Sequence, residues 1–247
     1  MSGPSLVLSS GFLAFARHAG VALGLERLAV RPSRICGVSS GALVGALLAA
    51  GHSASAISGL VAGTTPRSYL TPRFPFAGGS PGLFSLDPLV TLLREKLPPR
   101  FEDLEVPLAV GVVERATGEP LLLESGPLPE AVAASCAVPT LFAPREIDGR
   151  LLLDGGVADR IFLAPLLERH PAEHVVVHLV APSRYRAEKR QARVRAQLEA
   201  AAAQARVTVI ETGRSEASLW SLGDVPRQIE EASAATVAAF RTEGAAD

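Results

Sequence analysis

The sequence predicts an α/β fold built on a mainly parallel sheet. Two observations carry that expectation. Short apolar runs alternate with longer stretches of helical spacing along the 247 residues, and several of the runs read as fully buried strands. The composition agrees: 48% hydrophobic and 20% charged residues allow a sizeable core and exclude disorder.

Residues 5–10 (SLVLSS) form an apolar run ending at Gly11 and read as the first strand. Residues 14–28 have helical spacing, with Arg17, Glu26 and Arg27 expected on the wet side. A second buried strand, 34–38, leads into a small-residue helix at 40–51. That helix is apolar nearly all round, hence buried, and closes on Gly51, where a C-terminal glycine belongs. Residues 64–84 combine prolines, glycines and four aromatics, and read as a long functional loop or cap. A helix at 87–97 follows, with Asp87 at its cap and Pro88 in its first turn. Strands are expected at 107–115 and 120–126, then a helix at 128–138 stopped by Pro139. Segment 145–156 reads as a hairpin about Asp148-Gly149. Strands at 173–182 and 206–212 bracket an alanine- and arginine-rich helix at 187–205, and a last helix spans 224–241. With neither repeat nor linker, the expectation is one domain over 1–247, its core at about 5–212 and its C-terminal helix at 224–241.

A formal net charge of -1 offers no electrostatic case for nucleic acid as a partner. Two cysteines, Cys36 and Cys136, make neither a disulfide framework nor a zinc cluster, so no metal or cofactor is expected, and they suit a reducing compartment. No positive residue precedes the apolar start, which argues against a signal peptide, and no apolar run approaches the ~20 residues of a membrane span. The expected location is cytoplasmic, at most peripheral to a membrane.

The chemistry-bearing motif is Gly37-Val38-Ser39-Ser40-Gly41, preceded by a strand and followed by a helix. A nucleophilic serine on a sharp strand-to-helix turn needs that context, with glycines where bulk would clash with the helix. The same residues are also what a helix cap looks like, and the stretch alone leaves both readings open. None of His18, His52, His170, His174 and His178 sits in a strand-end turn of the kind a triad histidine occupies; each reads as structural or surface. Asp154 ends the apolar run 151–153 and is followed by Gly155 and Gly156, so it either projects into a site or forms a turn. Cys36 reads as core rather than as a reactive thiol.

Three stretches in order resemble the patatin-like phospholipase family: LVLSSGFLAFARHAGV (6–21), GVSSGALVGALLAAG (37–51) and AVAASCAVPTLFAPREIDGRLLLDGGVAD (131–159). The resemblance implies a three-layer α/β/α fold and a lipid acyl hydrolase working through a Ser–Asp dyad without histidine. By it, Ser39 is the nucleophile and Asp154 the general base, and the lipid acyl ester is the substrate. The oxyanion donors are then the backbone N–H groups of Ser10, Gly11 and Phe12, with that of Ser40. The chain departs from the family at the first stretch. Where the pattern has three glycines, a free position, a basic residue and a glycine, this chain has Ser10-Gly11-Phe12, Leu13, Ala14 and Phe15. That departure supports an alternative, a catalytically impaired protein that binds acyl chains or a partner. Phe12 and Phe15 read either as lining of an acyl pocket or as core. Segment 64–84, with Tyr69, Phe74, Phe76 and Phe84 beside Arg67 and Arg73, reads as a lipid-facing cap or as a loop packed on the body. Lys189, Arg190, Arg193 and Arg195 make the 187–205 helix either a contact for anionic lipid or a solvated face.

Overall fold

A computed structural model describes residues 3–73, 82–182 and 187–244. In chain order the elements are β1 (Ser5–Leu8), α1 (Phe15–Arg27), β2 (Arg34–Val38), α2 (Ser40–Ala49), α3 (Ala54–Ala62), β3 (Thr71–Pro72), β4 (Phe84–Ser85), α4 (Asp87–Lys96), β5 (Leu108–Glu114), β6 (Pro120–Leu123), α5 (Leu128–Ser135), β7 (Arg145–Ile147), β8 (Arg150–Asp154), α6 (Leu163–Arg169), β9 (His174–Val180), α7 (Ala187–Ala202), β10 (Arg206–Thr212) and α8 (Val225–Gly244).

The central sheet runs β10-β9-β1-β2-β5-β8-β7, with β6 also paired to β5. The five strands β10, β9, β1, β2 and β5 are mutually parallel, while β6 and β8 run antiparallel to β5 and β7 antiparallel to β8. Side chains alternate across the strands. Leu6, Leu8, Ile35, Val110 and Val112 pack under α1, α2, α4, α5 and α8, whereas Val7, Cys36, Val38 and Ala109 pack under α6 and α7. Burial on both faces explains why the strands read as continuous apolar runs, and the layering is the expected α/β/α.

Local chemistry accounts for most boundaries. Gly51 adopts φ +81° just beyond α2, a conformation that glycine takes at no steric cost. Asp148 and Gly149 both take positive φ, the geometry of a tight hairpin turn between β7 and β8. Pro88 lies in the first turn of α4, but Asp87 is already helical and Leu86 holds the cap position; the Asp87 amide donates to Ser85 Oγ at 3.1 Å instead. Helices α3 and α6 lie where the spacing announced none. Ser53 caps α3 by accepting from the Ala56 amide at 3.1 Å, and Pro165 and a length of seven residues obscured α6.

One expectation about α1 is corrected. Arg17 is not on a wet face: it is 4% exposed and pairs with Glu231 of α8 at 2.6 Å. The cause is the close seating of α8. A Cβ on Gly20 or Gly24 would lie 2.3 Å from Ile229 O or 2.5 Å from Thr236 Cβ. Two bare positions on α1 therefore admit α8, which covers the helix that composition alone left half solvated.

Candidate active site

The pairings of β5 bring the two ends of the motif together. β2 pairs with Leu108–Gly111 and β6 with Val110–Val113, so these strands take opposite edges of β5. β8 pairs with Val112–Glu114, of which β6 also covers Val112 and Val113, and therefore shares the edge of β2. Val38 faces Gly111 and Asp154 faces the next residue, Val112. The antiparallel β8 and the parallel β2 thus meet end to end, with Ser39 the first residue after Val38. Ser39 and Asp154, 115 positions apart in the chain (154 less 39), line one cavity of about 510 Å³ together with Ser10, Gly11, Phe12, Ser40 and Gly156.

Ser39 stands on a strained turn, with φ +56° and ψ -120°. A β-carbon-bearing residue enters that region only when its surroundings impose it. Here the Ser39 amide donates to Ser135 Oγ at 2.8 Å, and the Ser135 hydroxyl donates to Gly111 O at 2.7 Å. Ser135, wholly buried at the end of α5, thereby ties the elbow to β5. Inspection of the sequence missed this brace on the elbow, one serine in an alanine-rich helix. Although Ser39 holds the cap position of α2, its side chain makes no bond to the helix amides, so its hydroxyl is not consumed by capping.

The motif glycines answer to close approach. A Cβ on Gly37 would lie 2.5 Å from Ala42 Cα, and one on Gly41 would lie 2.3 Å from Leu8 O. Across the junction, Gly155 would meet Gly111 O at 2.4 Å and Gly156 would meet Ser10 Cβ at 2.7 Å. Asp154 is 4% exposed, and its Oδ1 accepts from the Gly156 amide at 2.7 Å. Turn-former and cavity wall are the same residue: the turn's own hydrogen bond orients the carboxylate.

The Ser10–Phe12 turn is braced from across the cavity. The Ser10 amide donates to Arg160 O at 2.8 Å, and the Arg160 guanidinium donates to Ser10 O at 3.2 Å and to Val180 O at 2.5 Å. Ser10 is therefore corrected out of the expected oxyanion donors, because its N–H is already engaged. Among the described residues the amides of Gly11, Phe12 and Ser40 have no protein acceptor. Positive φ falls on Leu13 (+48°) rather than on Phe12, so the lost glycines are replaced by one strained residue. The Phe12 side chain points outward, 54% exposed. Both Phe12 and Phe15 line the cavity, and Phe15 also packs on the core.

Apolar side chains make most of the remaining wall, with Leu13, Tyr69, Leu86, Leu89 and Phe142 among them. Tyr69 belongs to the 64–84 segment; its hydroxyl donates to Thr64 Oγ1 at 2.6 Å. Phe84 turns inward onto Phe142, while Arg67 lies over the Trp220 ring at 4.9 Å. Phe74 and Phe76, and the side chains of Lys189 and Arg190, lie outside the described residues. Arg193 donates to Ala158 O, which ties that part of α7 to the body.

Neither cysteine competes with Ser39. Burial pushes both thiols well above their ordinary range, and for Cys136, which lines the cavity, the Asp154 carboxylate adds to the effect. Among the described residues no histidine lines the cavity and no cluster of three or more acidic, cysteine or histidine side chains could hold a metal. No helix among them is long and apolar enough to cross a membrane.

His18 and His178 instead form a wholly buried pair. Their Nδ1 atoms are 2.8 Å apart, His18 Nε2 lies 3.1 Å from Ser40 Oγ, and His178 Nε2 lies 2.8 Å from Thr212 Oγ1. Desolvation holds His18 down at about 3, opposed by the nearby Ser9 backbone, which favours the charged ring, and aided by Arg160; it also holds His178 well below the ordinary value, aided by His18 and Arg17. Both stay neutral when folded and titrate near 6.5 when unfolded, so below that pH the unfolded chain binds more protons. Stability is then complete above pH 6.5 and falls as the pH drops, by about 2 kcal/mol at pH 5 for His18, with His178 acting in the same direction. Urea midpoints at pH 7.5 and 5.0 measure this. Equal midpoints would contradict the neutral pair.

Residues 6–167 match the family described as patatin-like phospholipase. Uncharacterized NTE family proteins of Mycobacterium bovis and Mycobacterium tuberculosis are each 31% identical over 163 residues, a stretch covering 66% of this chain and 45% of theirs. The matched stretch is thus less than half the length of these curated relatives. Among solved structures, VipD of Legionella pneumophila aligns with a TM-score of 0.61 and 16% identity over 98% of this chain and 67% of that one. The type III effector protein ExoU aligns at 0.52 and 15% identity, over 97% and 54%. At such identities the structural likeness concerns the fold.

Proposed function

The chain belongs to the patatin-like phospholipase family, and from that premise we propose that it hydrolyses acyl esters of lipids through a Ser39–Asp154 dyad and an acyl-enzyme intermediate. The observation that carries this reading is the end-to-end meeting of β2 and β8 on one edge of β5. It gives one apolar-walled cavity a strained serine, a buried carboxylate and, among the described residues, no imidazole.

In the proposed reaction Asp154 accepts the Ser39 hydroxyl proton as Ser39 Oγ attacks the ester carbonyl. The tetrahedral oxyanion is held by the amides of Gly11, Phe12 and Ser40, with the N-terminal end of α2 adding its positive dipole. As the tetrahedral species collapses, the alcohol or lysolipid departs with the proton Asp154 holds. Water then attacks the acyl-enzyme, Asp154 taking its proton and returning one to Ser39 as the fatty acid leaves. Asp154 needs no third residue to aim it, since the Gly156 amide already does so. The apolar wall suits an acyl chain, and the exposed Phe12 and Val157 at the cavity suit a lipid surface. The alternative, an impaired binding protein, rests on the missing glycines. Against it stand the three amides without protein acceptors and the positive φ taken up by Leu13.

A fluorophosphonate probe tests the proposal. One adduct is expected, on the peptide carrying Ser39, and none on the Ser39→Ala variant. An unlabelled native chain, or labelling that survives in the variant, overturns it.

A further inference from the structure

We propose that Thr212, His178, His18 and Ser40 form a positioning relay that aims the Phe12 amide at the oxyanion. The inference rests on the dyad reading above and adds to it residues that never touch substrate.

The direction of every bond in the chain follows from its last member. Ser40 Oγ lies 2.8 Å from Gly11 O. A carbonyl carries no proton, so the Ser40 hydroxyl donates to it and has no second proton to give. His18 Nε2, 3.1 Å away, must then be the N–H that donates to Ser40 Oγ. That leaves His18 Nδ1 bare, so His178 Nδ1 donates across their 2.8 Å contact, and His178 Nε2 accepts from the Thr212 hydroxyl at 2.8 Å. Each group gives one proton outward and receives one from behind. The run crosses from β10 through β9 and α1 to α2 without a mismatch.

Its end point is what makes the relay more than core packing. Gly11 C=O and Phe12 N–H belong to one peptide unit, which is trans. In a trans peptide the two groups point in opposite directions. The bond that draws Gly11 O toward α2 therefore aims the Phe12 N–H the other way, and Phe12 lines the cavity. A donor on the carbonyl also polarises the peptide and strengthens its N–H, and chains of such bonds reinforce one another by ~10–30% per bond. The turn has lost the glycines that elsewhere in the family hold its shape, and here a side-chain chain anchored on the sheet holds it.

The test compares native, Ser40→Ala, Ser40→Thr, Thr212→Val and a packing control, Leu166→Ala, which thins the core on the opposite face of the sheet. The substrate is p-nitrophenyl butyrate. Ser40→Ala keeps its backbone amide but removes the shorter of the two bonds to the Gly11 carbonyl, leaving only the Ala14 amide at 3.4 Å. Its kcat is expected to fall about 10- to 100-fold with KM within about threefold, a fraction of the ~10²–10³ that loss of a whole oxyanion donor costs. Ser40→Thr restores the hydroxyl and most of kcat. Thr212→Val, isosteric and at the far end, lowers kcat severalfold without moving KM and reports on the relay even if the Ser40 variants fold poorly. Leu166→Ala loses stability and keeps its kcat. A Ser40→Ala enzyme with native kcat, a change confined to KM, or a Thr212→Val enzyme indistinguishable from native overturns the relay while leaving the dyad standing. A native chain that neither hydrolyses the ester nor takes the fluorophosphonate overturns the dyad, and the relay falls with it.

Discussion

Replacing Asp154 by asparagine is expected to lower kcat for ester hydrolysis by about 10³- to 10⁴-fold, the upper part of the range for loss of a general base. The substitution is close to isosteric, and the amide oxygen of asparagine can still accept the Gly156 N–H that Asp154 Oδ1 accepts at 2.7 Å. What it loses is the ability to take a proton. KM should therefore change little, since no wall of the cavity moves. Stability should stay level or rise, because a carboxylate only 4% exposed is replaced by a neutral group. The combination separates a catalytic base from a turn-forming aspartate: the latter would lose stability and leave kcat alone. Steady-state kinetics and a thermal melt on the same preparation decide between them. Retention of more than a tenth of native kcat would contradict the assignment.

Gly41→Ala should destabilise the fold by about 3 kcal/mol or more, at the top of the range for overpacking. The added carbon would lie 2.3 Å from Leu8 O and 2.7 Å from Leu8 C. Those are backbone atoms of β1, which is paired to β2 on one edge and β9 on the other and cannot retreat. α2 would have to lift, taking Ser40 and the elbow with it. Gly45→Ala, one turn along the same helix, is the control. Its added carbon would meet only side chains, Ile35 Cγ2 at 3.1 Å and Leu108 Cδ1 at 3.6 Å. Alanine gains roughly 1 kcal/mol of helix propensity over glycine, so Gly45→Ala should be neutral or stabilising. Urea denaturation of the two variants measures the contrast; equal midpoints would refute the steric account.

Most of the elements were legible because the inner strands β9, β1, β2 and β5 are buried on both faces and most of the longer helices carry their own period. The elbow and the Asp154 turn were legible for a different reason. Close approach of two backbones excludes a side chain, so the requirement is written as glycine at Gly37, Gly41, Gly155 and Gly156. The wet face assigned to Arg17 failed because exposure depends on what packs there, and α8 comes from more than 200 residues later in the chain. The same limit removed Ser10 from the oxyanion donors: nothing near Ser10 announces that Arg160 will engage its amide.

By itself, then, the sequence determined the alternation of strands and helices, the glycine-flanked turn at Ser39 and the acid at the end of β8, since local sterics and periodicity act within a few residues. The tertiary structure alone decided which groups meet and which amides are left to bind. Ser135 reaches the elbow across 96 positions, Arg160 reaches Ser10 across 150 and His178 reaches His18 across 160. A hydrogen bond between such partners fixes one serine or one histidine in each segment and leaves no pattern in either. Only the register of β5, which sets Val38 and Asp154 against neighbouring residues, turns two separate motifs into one site.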